Sequence, residues 1–138
     1  MSVETVLRAQ ATDSGYQVSQ VFAGLAEDHF EVRLSAATMS ARETILHLSE
    51  CYVAAAEAAQ SVKHEWGTFV SVHSTAETQL GAMMELRACA VEALLLEAEK
   101  NVHNITEYIL LHDAYHVGQI AAIRLLLGGW EPYSIYRM

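Results

Sequence analysis

The chain has 138 residues, 52% of them hydrophobic, with a single proline and seven glycines. That is one domain of residues 1–138, long enough to bury a core without disulfides and too poor in proline and glycine for low-complexity or turn-rich all-β organisation. Seventeen acidic residues against eight Lys plus Arg give a formal charge of −9, which argues against nucleic acid as a partner because affinity for a phosphate backbone rests on cation neutralisation.

The segment from Met1 to Arg8 has no basic stretch followed by an apolar core, so no secretory signal is expected. No run reaches ~18 uncharged apolar residues, so no membrane association is expected either. Cys51 and Cys89 lack disulfide-scaffold or C-x-x-C spacing and lie in apolar helical patterns. Buried free thiols in a cytoplasmic, reducing setting are the expectation.

In chain order, a first helix is expected over 3–26, with Gly15 and Gly24 weakening its interior or end. Three later helices open on capping-box patterns: Ser40 with Glu43, Ser74 with Glu77, and Asn104 with Glu107. In each, the first side chain would accept from the amide three residues on while the glutamate reaches back to the cap amide. The helices then run over 41–63, 75–101 and 105–127, the last stopped by Gly128-Gly129 before Pro132. The pattern predicts an all-α four-helix bundle with antiparallel neighbours across the Asn101–Asn104 turn. The stretch 66–73 alternates weakly and is expected to cross the end of the bundle. The aromatic tail, 130–138, is expected to pack back on the bundle or on a partner.

Seven histidines are nearly as many as all Lys and Arg together, and the fourth helix gives two of them an address. Its inward stripe reads Ile105, Ile109, His112, His116, Ile120, Ile123, Leu127, spaced 4, 3, 4, 4, 3 and 4. Residues at i and i+4 lie one above the other, so both imidazoles should enter one core layer. Two neighbouring imidazoles make poor core filler, whereas a divalent metal accepts both as neutral ligands. A third ligand must come from a facing helix, and His47, on a face continued by Cys51, Ala54, Ala55 and Ala58, is the candidate. His29, His64, His73 and His103 read as solvated. Cys51, one turn beyond His47, reads as core packing, with a fourth-ligand role the alternative. Gln119 is placed to orient a ligand or brace the core. Asp113 is expected to point away from His112, and Glu43 to be taken up by its cap.

These stretches match a known pattern. Ser40-Ala-Arg-Glu-Thr-Ile-Leu-His47-Leu resembles the second-helix motif of the DinB/YfiT-like metalloprotein superfamily. His112-Asp-Ala-Tyr-His116-Val-Gly-Gln-Ile120 resembles its fourth-helix motif, and the run from Arg124 to Pro132 resembles its ending. The resemblance implies a four-helix bundle with one long crossover connection, usually a homodimer, holding a divalent metal on His47, His112 and His116. Zinc or nickel is the first expectation for such a site, with iron, cobalt, copper and manganese also compatible. Relatives include S-transferases using low-molecular-weight thiols, thiol-dependent isomerases and hydrolases. The cations on offer to an anionic thiol are Arg33, Arg42, Arg87 and Arg124, which do not obviously converge.

Two functions follow as expectations. In one, the metal turns a bound thiol or water into a nucleophile acting on a small-molecule substrate. In the other, the metal only stabilises a non-catalytic dimeric bundle that serves in interaction or stress response.

Overall fold

The computed structural model describes residues 1–137 and, among them, contains helices and no strand. Helix α1 spans Val3–Phe22, α2 Ala41–Ala59 and α3 Ala76–Leu95. Helix α4, residues 102–127, is continuous but not uniform. Val102–Ile105 is α-helical, Thr106–Leu111 widens into a π-helical turn, and His112–Leu127 is α-helical again. Short 3₁₀ turns occupy Glu27–Glu31 and Pro132–Ile135. The expected all-α four-helix architecture is the one observed.

Caps explain where the sequence was and was not followed. Ser40 and Glu43 form the expected box, with Glu43 N donating to Ser40 Oγ at 3.2 Å and Ser40 N to Glu43 Oε1 at 3.0 Å. The second start is capped by Thr75, not Ser74: Thr78 N donates to Thr75 Oγ1 at 3.2 Å. The third box does not form, because the helix already begins at Val102 and both Asn104 and Glu107 lie inside it. Each of the first three helices also ends earlier than expected. Gly24, at φ +73°, follows the end of α1, and Ser61, at φ 59°, follows that of α2. After α3, Asn101 gathers the Leu94 and Glu97 carbonyls on its side-chain amide, both at 3.1 Å.

Side-chain bonds fix the helix directions. Arg42, in the first turn of α2, bonds Gln79 and the Ser74 carbonyl at the start of α3, so these two helices begin at the same end and residues 60–75 travel back between them. Arg8 meets Glu92 and Ala11 meets Arg87, which sets α1 against α3 in the opposite sense. Ser14 meets Asp113, and the Arg124 guanidinium takes the carbonyls of Val21 and Ala23 at 2.9 and 2.6 Å, closing the end of α1. The tail packs back as expected: Trp130 lies under Arg124, and Arg137 lies over Tyr16 and pairs with Asp13.

At the centre of the bundle is a carboxylate. Asp113 is 0% exposed and accepts from Ser14 Oγ of α1 at 2.6 Å, Tyr52 OH of α2 at 2.5 Å and Arg87 Nε of α3 at 3.0 Å. Arg87 also donates to the Ala11 carbonyl at 2.7 Å. Gly15 makes room for it, since a Cβ at that position would collide with the guanidinium. All four helices therefore meet on one ion pair. Asp113, not His112, fills the fully buried position between Ile109 and Val117. This corrects the expected stripe at one position: His112 is half-buried beside Asp113, while His116 is buried as expected.

Removing one partner of a buried pair strands the other charge, a loss of about 3–5 kcal/mol. Asp113→Asn should therefore lower stability by about that amount in urea melts. The Arg87→Leu/Asp113→Leu double variant, which strands neither charge, should lose less than Asp113→Asn does.

Candidate metal centre and its cavity

His47 comes from the second turn of α2, and His112 and His116 from α4 just past the π turn. Their imidazoles converge as expected. His112 Nε2 lies 3.2 Å from His47 Nε2 and 3.0 Å from His116 Nε2. Ring centroids are 4.7 to 5.1 Å apart across the three pairs. His116 is buried, and the other two rings are half-buried.

Gln119 decides which nitrogen of His116 faces the centre. Its Oε1 accepts from His116 Nδ1 at 2.8 Å, and its amide nitrogen donates to Tyr115 OH at 3.2 Å. His116 therefore carries its proton outward and presents a bare Nε2 inward, the usual division of labour for a ligating imidazole. Burial lowers all three imidazole pKa values, with repulsion from neighbouring rings adding to it at His112 and His116, and His116 falls to about 4. The rings are neutral near pH 7, the form that binds a metal.

The donor set fits a cation. A neutral ring nitrogen carries either a proton or a lone pair, so a proton on His112 Nε2 points at His116 or at His47, not at both, and one of the two close contacts goes without a hydrogen bond. Two imidazoles that share one ion at about 2.0–2.1 Å lie within about 4.2 Å of each other, and the observed 3.0 and 3.2 Å are inside that limit.

Cys51 belongs to the same cluster. Its Sγ lies 3.6 Å from His47 Nε2 and 3.9 Å from His112 Nε2, and His47, Cys51 and His112 form a group able to hold a metal ion. Burial first, then Glu50 and Asp113, push the thiol pKa up to about 12, so it is protonated as it stands. Cys89, expected to be buried, is exposed.

Of the other groups singled out from sequence, Asp113 bonds none of the rings, and Glu43 serves its cap and Arg33. The four candidate cations all lie elsewhere. Arg33 pairs with Glu43, Arg42 with Glu27 and Glu31, Arg87 with Asp113, and Arg124 with the end of α1.

A cavity of about 520 Å³ opens on the cluster. Its floor is Cys51 and His112. One wall is α4, through His103, Asn104, Glu107 and Tyr108, and the opposite side is Trp66. None of these wall residues was picked out as functional from the sequence. The sequence pattern places Asn104 and Glu107 in a cap and His103 in solvent, and no periodicity marks a lone loop tryptophan. The hidden factor is the π turn. Its i→i+5 bonding brings residues five apart toward one face, so Glu107 and His112 share a cavity that a regular helix would divide.

His64, expected to be solvated, is also structural. Its side chain is 6% exposed, with Nε2 2.9 Å from Glu50 and Nδ1 3.3 Å from Glu57. Its ring meets that of Trp66 edge-on at 4.7 Å. The same Glu50 oxygen accepts from the amides of Gly67 and Thr68 at 2.8 and 3.2 Å. This clasp fixes the loop that carries Trp66. No protein-family model, curated protein or solved structure matches the chain.

The clasp has a pH signature. The Glu50 bond raises the His64 pKa above its ordinary 6.5, and the His64 bond, followed by the loop amides, lowers that of Glu50 below 4.5. Stability from a raised imidazole is complete below its unfolded value and lost as pH climbs through the folded one. Stability from a lowered carboxylate is lost as pH falls. His64→Ala should therefore cost more at about pH 5.5 than at about pH 8.5 in paired denaturant melts.

Proposed function

We propose that this chain is a divalent-metal-binding four-helix protein of the DinB/YfiT-like type, with His47, His112 and His116 as ligands, and that it acts as a metal-dependent enzyme on a small molecule. The observation that carries the reading is the convergence of three neutral imidazoles, one of which, His112, reaches the floor of an open cavity of about 520 Å³. Such a volume suits a small ligand. A bound divalent ion supplies Lewis acidity there, lowering the pKa of a thiol or water so that a nucleophile exists at neutral pH. The protein's own part is to hold three ring nitrogens in place, to fix the His116 tautomer through Gln119, and to offer a cavity beside His112. S-transfer or hydrolysis is the reaction class this supports, with zinc or nickel as the first candidate ions.

A second reading is favoured by Cys51. If its sulfur completes the ligand set, four protein donors leave no open position, and the ion is structural. The chain would then be a non-catalytic, metal-stabilised dimeric bundle. Either reading includes a cytoplasmic setting and a homodimer. The exposed apolar face of α4, formed by Leu111, Tyr115, Leu125 and Leu126 around Gly118, suits a second copy, because the small central residue allows close helix approach.

Protein purified without an affinity tag should carry one metal ion per chain by elemental analysis. His112→Ala and His116→Ala should each lower affinity at least about tenfold, as outer or inner ligand losses do. Retention of full metal content by His116→Ala would sink the assignment. Cobalt-loaded protein separates the readings: a sulfur-to-metal absorption band that vanishes in Cys51→Ser marks the closed site, and its absence marks the open one. Light scattering should give twice the chain mass, and Leu125→Asp should give the chain mass.

A further inference from the structure

The chemistry of the cavity wall is specific beyond its size. Glu107 is the one carboxylate in the lining, and no lysine or arginine contributes to it. The arginines are committed elsewhere. Arg8 and Arg137 pair with Glu92 and Asp13, and the remaining four serve caps, helix ends and the central ion pair. An anionic ligand entering here would meet Glu107 on the wall and no lysine or arginine in the lining, in a chain whose formal charge is already −9.

Trp66 is the second observation. The residue is 58% exposed, an unusual place for the largest apolar side chain, yet the loop beneath it is anchored. His64 buttresses the ring edge-on, and Glu50 holds both His64 and the amides that follow Trp66. Such a wall is paid for in advance, so little side-chain entropy is lost when a ligand arrives. Tyr108, half-buried, supplies a second ring from α4. Exposed aromatic rings in one cavity with a carboxylate are the chemistry that recognises organic cations.

We infer that the cavity binds a small amine- or ammonium-bearing molecule, with its cationic head at Trp66, Tyr108 and Glu107 and its neutral end toward Cys51 and His112. This deepens the proposed function and rests on the reading of the imidazole cluster as the reactive end of the cavity. Any thiol co-substrate admitted here is then neutral or cationic, in contrast to the anionic thiol that the four arginines were expected to hold.

The test uses three probes of matched size: phenethylamine, 2-phenylethanol and 3-phenylpropanoate. Each is titrated into metal-free and metal-loaded full-length protein by isothermal titration calorimetry, with the indole N–H resonance of Trp66 locating the bound probe in the proteins that retain that residue. The amine should bind at least about tenfold more tightly than the carboxylate, a gap of about 1.4 kcal/mol. Glu107→Gln should shrink that preference to about threefold or less, and Trp66→Ala should weaken the amine about tenfold. Metal content should be unchanged in both variants, since neither residue is a proposed ligand. Equal or tighter binding of the carboxylate, or an amine preference that survives Glu107→Gln, overturns the inference. Both substituted positions are exposed, and circular dichroism confirms folding of each variant. Amine preference in the metal-free protein supports the inference by itself, while failure of the metal assignment is read separately from the elemental analysis.

Discussion

The arrangement depends on one buried ion pair. A carboxylate with no exposure is tolerable only if its lone pairs are taken up, and Asp113 achieves this by drawing a hydroxyl from α1, a phenol from α2 and a guanidinium from α3. Among the described residues the only buried side-chain N or O atom without a partner is Ser134 Oγ, far along the chain from this network. Because a half-satisfied buried network is worse than an apolar one, the four helices are not free to slide. His112 precedes Asp113 directly, and His47 lies five residues before Tyr52. The register that satisfies the ion pair therefore also sets the spacing of the imidazoles, and hydrophobic packing alone would fix it less sharply.

Much of this was legible in the sequence, for reasons that can be named. The 3.6-residue period gave the four helices and brought His112 and His116 together. The alanine-rich face of α2 pointed to His47. The Ser40 cap was readable because a capping box is local chemistry, complete within four residues. What escaped depends on distant partners. Arg87 looks like any exposed helix arginine until Gly15 and Asp113 are seen around it. His64 looks solvated until Glu50 and Glu57 arrive from the preceding helix. Ser74 and Thr75 are equally good caps by composition, and only the packing of Ala76 decides between them.

The charges of the chain are distributed unevenly. Three of its arginines are taken up within the fold, Arg124 closing α1, Arg42 holding the start of α2 and Arg87 balancing Asp113, while much of the acidic surplus stays on the surface. The acidity seen at the start as a bar to nucleic acid therefore also shapes the cavity, whose rim is set by what the arginines no longer supply.

The wide turn at Thr106–Leu111 has a further consequence. A π turn holds one residue more than an α-helix needs for the same span, so what distinguishes α4 from a plain helix is a matter of length. Removing any single residue between 106 and 111 would let the segment close to regular helix over the same span, keeping the helix on either side in register and dropping one side chain from the turn. The cluster would keep its donors, while the side chains left in the turn, Glu107 or Tyr108 among them, would be presented at new angles. Single-residue insertions and deletions in this stretch are therefore the changes by which a bundle of this kind could exchange one cavity wall for another while leaving its imidazoles in place.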